Sequence, residues 1–402
     1  MWRGPSTKWS ETSLSWCSTQ ASRRVWRTAS VRLIGSRRWV SSHQSRFMTG
    51  SRQRSPTSTI EPTMANSRAH WRDRMNTETG ESVPNEDSGR HPHGTNVRVL
   101  YIAGAGRSGS TIVDNILGQI PGFFSAGEIA YFWQRFIVER RRCGCGEVGT
   151  NCPVWSKILT QIGSPGPDIA SAMVSAARSA TRIRHVPSMV APGGANRLHA
   201  ALGTQYLDRL SGLYGAIRET SGSRVIVDSS KFPGYGKAVS SLDGVDMSVI
   251  HLVRDPRAVA YSWLRQKPQP DTDSRSHMMQ RRARTVAPRW MTANIAAEAL
   301  FSRGNTPYAR VRYEDFAAEP RKTLDNALQR LGLEQLPTGI IADGHAELDT
   351  THTVSGNPSR FSTGRVALRV DDEWRSALKP KDSRVVTSLT FPLLARYGYL
   401  SG

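Results

Sequence analysis

From residue 97 onward the apolar positions fall into short runs separated by glycine, proline and polar clusters, and each run predicts one element. Residues 97–103 form an apolar, β-branched run that meets a glycine-rich turn. Residues 110–119 follow with apolar positions at helical spacing, so this stretch predicts strand, loop and helix. Residues 224–227 and 248–253 are two further runs of the kind that fill a strand buried on both faces. Residues 256–266 predict a helix, with Asp255 suited to its N-cap and Pro256 to its first position. Residues 308–313 predict another strand, which leads through Glu314 and Asp315 into a helix near residues 320–331. Strands alternating with helices predict an α/β domain with a central parallel sheet flanked by helices. No internal repeat is visible.

Residues 1–95 show no such period. They are rich in Ser, Thr, Arg and Trp, and hold Trp2, Trp9, Trp16, Trp26 and Trp39. We expect a disordered basic leader over 1–95 and one domain over 96–402. An Arg- and Ser-rich, acid-poor leader suits organellar targeting. It equally suits a stretch upstream of a later start at Met48, Met64 or Met75, which the many tryptophans favour.

The net charge of +21 would by itself suggest a polyanion partner, but it is unevenly spread. Residues 1–60 carry 11 basic side chains and one acid, Glu11, leaving a moderately basic body that fits an anionic small ligand as well as a nucleic-acid groove. A non-catalytic nucleic-acid-binding protein would need its basic and aromatic surface in the folded part, and the densest such stretch is the leader. Four cysteines (Cys17, Cys143, Cys145 and Cys152) do not make a disulfide scaffold and imply a reducing, cytoplasmic setting. No apolar run approaches the roughly 18 residues of a membrane span.

The chemistry begins at Gly104-Ala105-Gly106-Arg107-Ser108-Gly109-Ser110-Thr111. The glycine spacing is that of a nucleotide-triphosphate loop, but Ser110 stands where the phosphate-binding lysine belongs. That argues against the nearest enzymatic rival, a nucleotide or small-molecule kinase. What remains is a backbone cradle for an anion at a helix N-terminus, with Arg107 as a forked cationic donor and Ser108, Ser110 and Thr111 as hydroxyl donors.

Here the chain resembles the PAPS-dependent sulfotransferases (PAPS, 3′-phosphoadenosine 5′-phosphosulfate), whose [KR]-S-G-[ST]-T loop holds the 5′-phosphosulfate. The resemblance implies that Arg107 contacts the transferring sulfuryl group while Gly106, Ser108, Gly109, Ser110 and Thr111 hold the 5′-phosphate. It continues in Arg254-Asp255-Pro256-Arg257-Ala258 with Ser262 eight residues after Arg254, implying that Arg254 and Ser262 bind the 3′-phosphate. Residues 308–316 with Pro320 resemble the family's late strand and helix, with Tyr313 packed rather than reactive. Residues 356–361 with Gly364, Asp372 and Trp374 resemble its C-terminal loop, and make Arg360 a second candidate for the 3′-phosphate. The resemblance spans about residues 97–400. It implies a P-loop-like sulfotransferase fold, and a style closest to bacterial or carbohydrate and tyrosylprotein sulfotransferases.

For the base that the acceptor hydroxyl needs, the resemblance points to Glu128 in a Gly-Glu segment. Lys231 resembles the lysine that assists the sulfuryl group and leaving oxygen in tyrosylprotein sulfotransferases. Asp228 is the reserve base, and His251, inside a predicted strand, is a packed core residue. No metal is required. Cys143, Cys145 and Cys152 are the one metal-like cluster, but they lack a nearby fourth ligand in the sequence and read first as a loop staple or buried free thiols and second as a zinc site. Arg281–Arg289 leads into an amphipathic helix with Trp290, Asn294 and Ala297, expected to flank the acceptor cleft. The acceptor itself stays open among small molecules, carbohydrates, glycolipids and peptides, with no nucleic acid as partner.

Overall fold

The computed structural model describes residues 96–272 and 276–400. The leader expected over 1–95 lies outside the described residues. Five strands form the main sheet: β1 (Val97–Gly104), β2 (Phe123–Gly127), β3 (Val225–Lys231), β4 (Val245–Val253) and β5 (Tyr308–Arg312). Their order is β2-β3-β1-β4-β5, and every neighbouring pair is parallel. This is the α/β architecture with a central parallel sheet that the sequence predicts.

Helices cover both faces because β1 is apolar at every inward position and alternates its contacts with period two. Val99, Tyr101 and Ala103 pack with Leu210, Leu213 and Ile217 of α2 (Thr204–Ser221) and Ala238 of α3 (Pro233–Val239). Leu100 and Ile102 point the other way, to Val113, Ile116 and Leu117 of α1 (Ser110–Leu117) and to Leu324 and Leu328 of α6 (Pro320–Arg330). A third cluster joins α4 (Pro256–Leu264), α5 (Ala283–Phe301) and α7 (Pro380–Arg396) beyond the end of β4. Asp255 caps α4 by accepting from the Arg257 amide at 2.8 Å, a cap of about 1 kcal/mol.

Two features of the main sheet differ from the sequence expectation. β2 is an additional strand, five residues long, and β3 continues past its apolar part through Asp228, Ser229, Ser230 and Lys231. Those polar residues stay buried because carboxylates satisfy them: Ser229 Oγ donates to Asp114 at 2.6 Å and the Ser230 amide to Asp228 at 2.9 Å.

The five strands of this sheet being parallel, the C-terminal ends of β1, β2, β3 and β4 reach one edge. The connections after β1 and after β4 leave in opposite directions from adjacent strands. That is the switch point where open α/β sheets bind ligands.

Candidate active site

Four of the five strands each deliver a candidate side chain to this edge. The loop after β1 carries Arg107, β2 is followed by Glu128, β3 ends in Lys231, and β4 is followed by Arg254. One cavity of about 1170 Å³ is lined by Gly106, Arg107, Gly109, Ser110 and Thr111, and by Glu128, Lys231, Arg254, Ser262 and Arg360. Ser108 does not line it; that side chain is turned inward and buried.

The anion loop is shaped by Gly109, which caps α1 at φ 90°. A Cβ there would collide with the Tyr313 ring, so both the backbone angle and the close approach require glycine. Tyr313 is a packing residue as expected: its ring also lies under the Arg254 guanidinium at 4.4 Å. Arg107 and Lys231 both adopt left-handed backbone, at φ 72° and 73°. Such conformations cost a non-glycine residue roughly 1–3 kcal/mol and persist where the surroundings over-determine them. Arg107 stacks over Trp263 at 4.9 Å. Burial lowers its pKa, with Glu128 opposing and Arg265 adding to the effect.

Glu128 and Lys231 form the tightest polar contact of the site. Lys231 Nζ donates to Glu128 Oε1 at 2.6 Å and to the Ser229 carbonyl at 2.7 Å, and Arg135 Nη1 lies 3.5 Å from Oε2. Burial pushes the Glu128 carboxyl up, but Lys231 and Arg135 together outweigh it and leave the pKa below the ordinary value. Arg135, which the sequence reading missed, comes from a π-helical turn (Phe132–Val138) that also sets its guanidinium over Tyr131 at 3.6 Å.

At the other end of the cavity Arg254 bonds Asp371 Oδ2 at 3.0 Å and reaches the Arg107 carbonyl at 3.3 Å. Ser262 lies two turns along α4, and also lines the cavity. Arg107 Nη1, Ser108 Oγ and Arg254 Nε are buried without a hydrogen-bond partner. Ser108 faces away from the cavity, but Arg107 and Arg254 line it, and their partnerless nitrogens are donors that an anion with several oxygens would satisfy. The residues present therefore fit an anionic ligand with oxygen acceptors near both Arg107 and Arg254.

Arg360 is not a surface arginine. It is 1% exposed, donates to the Arg142 carbonyl at 2.7 Å and pairs with Asp271 at 3.2 Å. It also lines the cavity, and its charge helps to lower the Glu128 pKa. Asp228 is fully buried behind β3, where Tyr214 donates to it at 2.5 Å; burial raises its pKa to about 6, and it does not line the cavity. His251 is a core residue between Tyr308 at 2.7 Å and Asn294 at 2.9 Å, its pKa lowered to about 4 by burial. Trp290, Asn294 and Ala297 of α5 face inward; Trp290 donates to the Arg254 carbonyl at 2.9 Å and so fixes the backbone of that arginine. Arg281 and Arg289 do line the cleft.

The expectation that the three thiols lack a fourth ligand does not hold. His352 joins Cys143, Cys145 and Cys152 so that all four ligand atoms lie within 4.8 Å of one another. It is 200 residues from Cys152 along the chain, and local spacing carries no sign of it.

A profile described as "Sulfotransferase family" matches residues 100–337, more than half of the chain. Among solved structures the chain is similar to a sulfotransferase domain from the Synechococcus PCC 7002 olefin synthase. The two are 19% identical, 75% of this chain and 98% of that one are covered, and the TM-score is 0.40. A sulfotransferase domain from the curacin biosynthetic pathway is 16% identical over 73% of this chain and 98% of that one, at a TM-score of 0.39. Sulfotransferase STF9 from Mycobacterium avium is 12% identical over 59% and 64%, at 0.32. No curated protein matches the chain.

Proposed function

The chain belongs to the sulfotransferase family, and from that premise we propose that it moves the sulfuryl group of PAPS to an acceptor hydroxyl by in-line transfer, with Glu128 as base. The observation that carries this reading is the Glu128–Lys231 pair at 2.6 Å, set beside Arg107 on one cavity with Arg254.

PAPS would place its 5′-phosphosulfate on the loop amides and Thr111, and its 3′-phosphate on Arg254 and Ser262. Arg360, held by Asp271 and the Arg142 carbonyl, acts as a positioning residue for the loop it sits on. In the transfer, the acceptor oxygen forms a bond to sulfur as the bond from sulfur to the 5′-phosphate oxygen breaks. Arg107 stabilises charge on the sulfuryl oxygens. The acceptor proton passes to Glu128, which is ionised at neutral pH because Lys231 and Arg135 hold its pKa down. When Lys231 turns from Glu128 toward the leaving oxygen, it stabilises the departing phosphate and makes Glu128 a stronger base at the same step. No metal enters this scheme.

The acceptor side of the cavity combines Tyr131, Trp133 and Phe232 with Arg178, Arg182 and Arg281. That lining suits an amphipathic acceptor bearing a negative group, which is compatible with a glycolipid, an acidic carbohydrate or a peptide. No helix among the described residues is long and apolar enough to cross a membrane.

The test is transfer from ³⁵S-labelled PAPS to extract components. Glu128→Gln should lower transfer by about 10²–10⁴-fold while PAPS still protects the protein against thermal unfolding. Transfer at the wild-type rate in that variant would refute the carboxylate base.

A further inference from the structure

We propose that Cys143, Cys145, Cys152 and His352 bind one zinc ion as a closed structural site, and that this ion fastens the segment of residues 351–361 over the sulfuryl-transfer site. The distances are those of ligands around one tetrahedral ion. Two thiolates each about 2.3 Å from zinc stand about 3.8 Å apart, and a thiolate and an imidazole nitrogen about 3.6 Å apart. Cys143 Sγ and Cys152 Sγ are 3.7 Å apart. His352 Nδ1 lies 3.2 Å from Cys152 Sγ and 3.9 Å from Cys143 Sγ, values that bracket the second expectation. A disulfide would need sulfurs at about 2.05 Å, and all three cysteines are free. Three thiolates and one imidazole complete four-coordination, leaving no open position for substrate or water. The ion therefore has a structural role and stays outside the transfer chemistry.

The surrounding chain is built to hold these ligands. The Gly146 amide donates to the Cys143 carbonyl at 2.9 Å, closing the turn that turns Cys143 and Cys145 to the same side. The Trp155 amide points at Cys152 Sγ at 3.5 Å, and its indole Nε1 donates to the His352 carbonyl at 2.5 Å. One residue thus orients a ligand from each of the two distant segments, as partners outside a metal's ligand set commonly do. Between the two cysteines Gly144 donates to the Thr353 carbonyl at 2.9 Å, and a Cβ on Gly144 would lie 2.5 Å from the Thr351 carbonyl oxygen. Glycine lets the histidine-bearing segment approach this closely.

The consequence lies further along the same segment. Ser355 accepts from the Glu128 amide at 3.3 Å and from Arg135 at 2.8 Å. The Asn357 amide donates to Thr111 Oγ1 at 3.2 Å, and Arg360 returns to the carbonyl of Arg142, next to Cys143. The segment thus touches the proposed base, its partner arginine and the phosphate loop within a few residues of the zinc ligand. A metal tie at His352 fixes its start.

The experiment uses the full chain, purified from zinc-supplemented cells under reducing conditions and dialysed against EDTA. Elemental analysis should return about one zinc per chain, and X-ray absorption should give three sulfurs at about 2.3 Å and one nitrogen at about 2.0–2.1 Å. Cys145→Ser and His352→Ala should each weaken zinc retention in a chelator competition by more than tenfold. Limited proteolysis should cut near residues 351–361 faster once the metal is stripped. The wild-type measurements do not depend on the variants folding. The proposal is overturned if zinc is far below one per chain while the thiols of the folded protein react freely with a thiol reagent. It is overturned equally by a Cys143–Cys152 disulfide in the purified chain, or by a six-coordinate oxygen and nitrogen shell.

Discussion

Replacing Lys231 by Met removes the ammonium from Glu128 while keeping an unbranched side chain and the same left-handed backbone, so backbone strain cancels between the two proteins. Glu128 and Lys231 side chains are 9% and 11% exposed, and their atoms meet at 2.6 Å. Removing one partner of a buried pair costs about 3–5 kcal/mol. Arg135, more exposed and 3.5 Å away, remains as a partial partner and brings the expectation to the lower end, about 3 kcal/mol at pH 7. The pH dependence identifies the cause. In the wild type Glu128 has a folded pKa below its unfolded value, so the pair's stabilisation is present above about pH 4.3 and lost as pH falls through the lowered folded value. In the variant burial dominates, and the folded pKa moves above the ordinary carboxyl value. Stability is then lost as pH rises from about 4.3 through that raised value. The gap between the proteins should be small at the acid end, open with rising pH and level off above the variant's pKa. Urea midpoints measured from pH 4 to 8 read it directly, and adding Glu128→Gln to the variant should recover most of the loss at pH 8. A gap independent of pH, or no recovery in the double variant, would refute the reasoning.

Other groups make separate predictions. Arg254→Ala should abolish the thermal protection given by PAPS, worth about 2.7 kcal/mol at a hundredfold excess over Kd; unchanged affinity would remove Arg254 from the 3′-phosphate site. Asp371→Asn should tighten PAPS binding up to about fivefold, because it releases a competing pair whose carboxylate is 28% exposed and is worth up to ~1 kcal/mol. Titration calorimetry distinguishes this from no change. His251, neutral with a folded pKa of about 4, is protonated first in the unfolded chain. Stability should therefore fall by about 3 kcal/mol as pH drops from about 6.5 to 4, and His251→Phe should flatten the unfolding curve over that window.

Much of the sheet was legible because its signals are local. β1 and the end of β4 are apolar runs, β5 alternates buried Ala309 and Val311 with Arg310 and Arg312, and Pro256 behind Asp255 marks a helix start within two residues. β2 was not, since five residues containing Ser125 and ending at Gly127 carry little pattern. The polar tail of β3 reads as loop, and only Asp114, brought from α1, shows why its serines can be buried. The phosphate loop and Arg254 could be found as anion sites from residue types alone, while their division between two phosphates came from family resemblance. What sequence reasoning missed is pairing at long range. Glu128 and Lys231 are 103 residues apart, Arg254 and Asp371 117, and Cys152 and His352 200. Each pair is set by sheet order and by the return of the C-terminal segment, which no local window contains.

Those pairs share a physical logic. Three cations of the site, Lys231, Arg254 and Arg360, are buried or nearly so, and each is matched by a carboxylate: Glu128, Asp371 and Asp271. An unpaired buried cation would be costly, so the ligand-free fold supplies its own anions. The matches differ in how easily they can be undone. Arg360 and Asp271 are 1% and 7% exposed and further tied to the backbone, so this pair behaves as scaffold. Arg254 pairs with an Asp371 that is four times as exposed, and a phosphate with more charge and more acceptor oxygens can displace it. Lys231 pairs with the proposed base itself, so drawing it toward a leaving phosphate frees the carboxylate in the same movement. Under the proposed mechanism binding and activation are one exchange of counter-charges, and the expected order in which the pairs yield, Arg254 before Lys231, follows from the greater exposure of Asp371 than of Glu128.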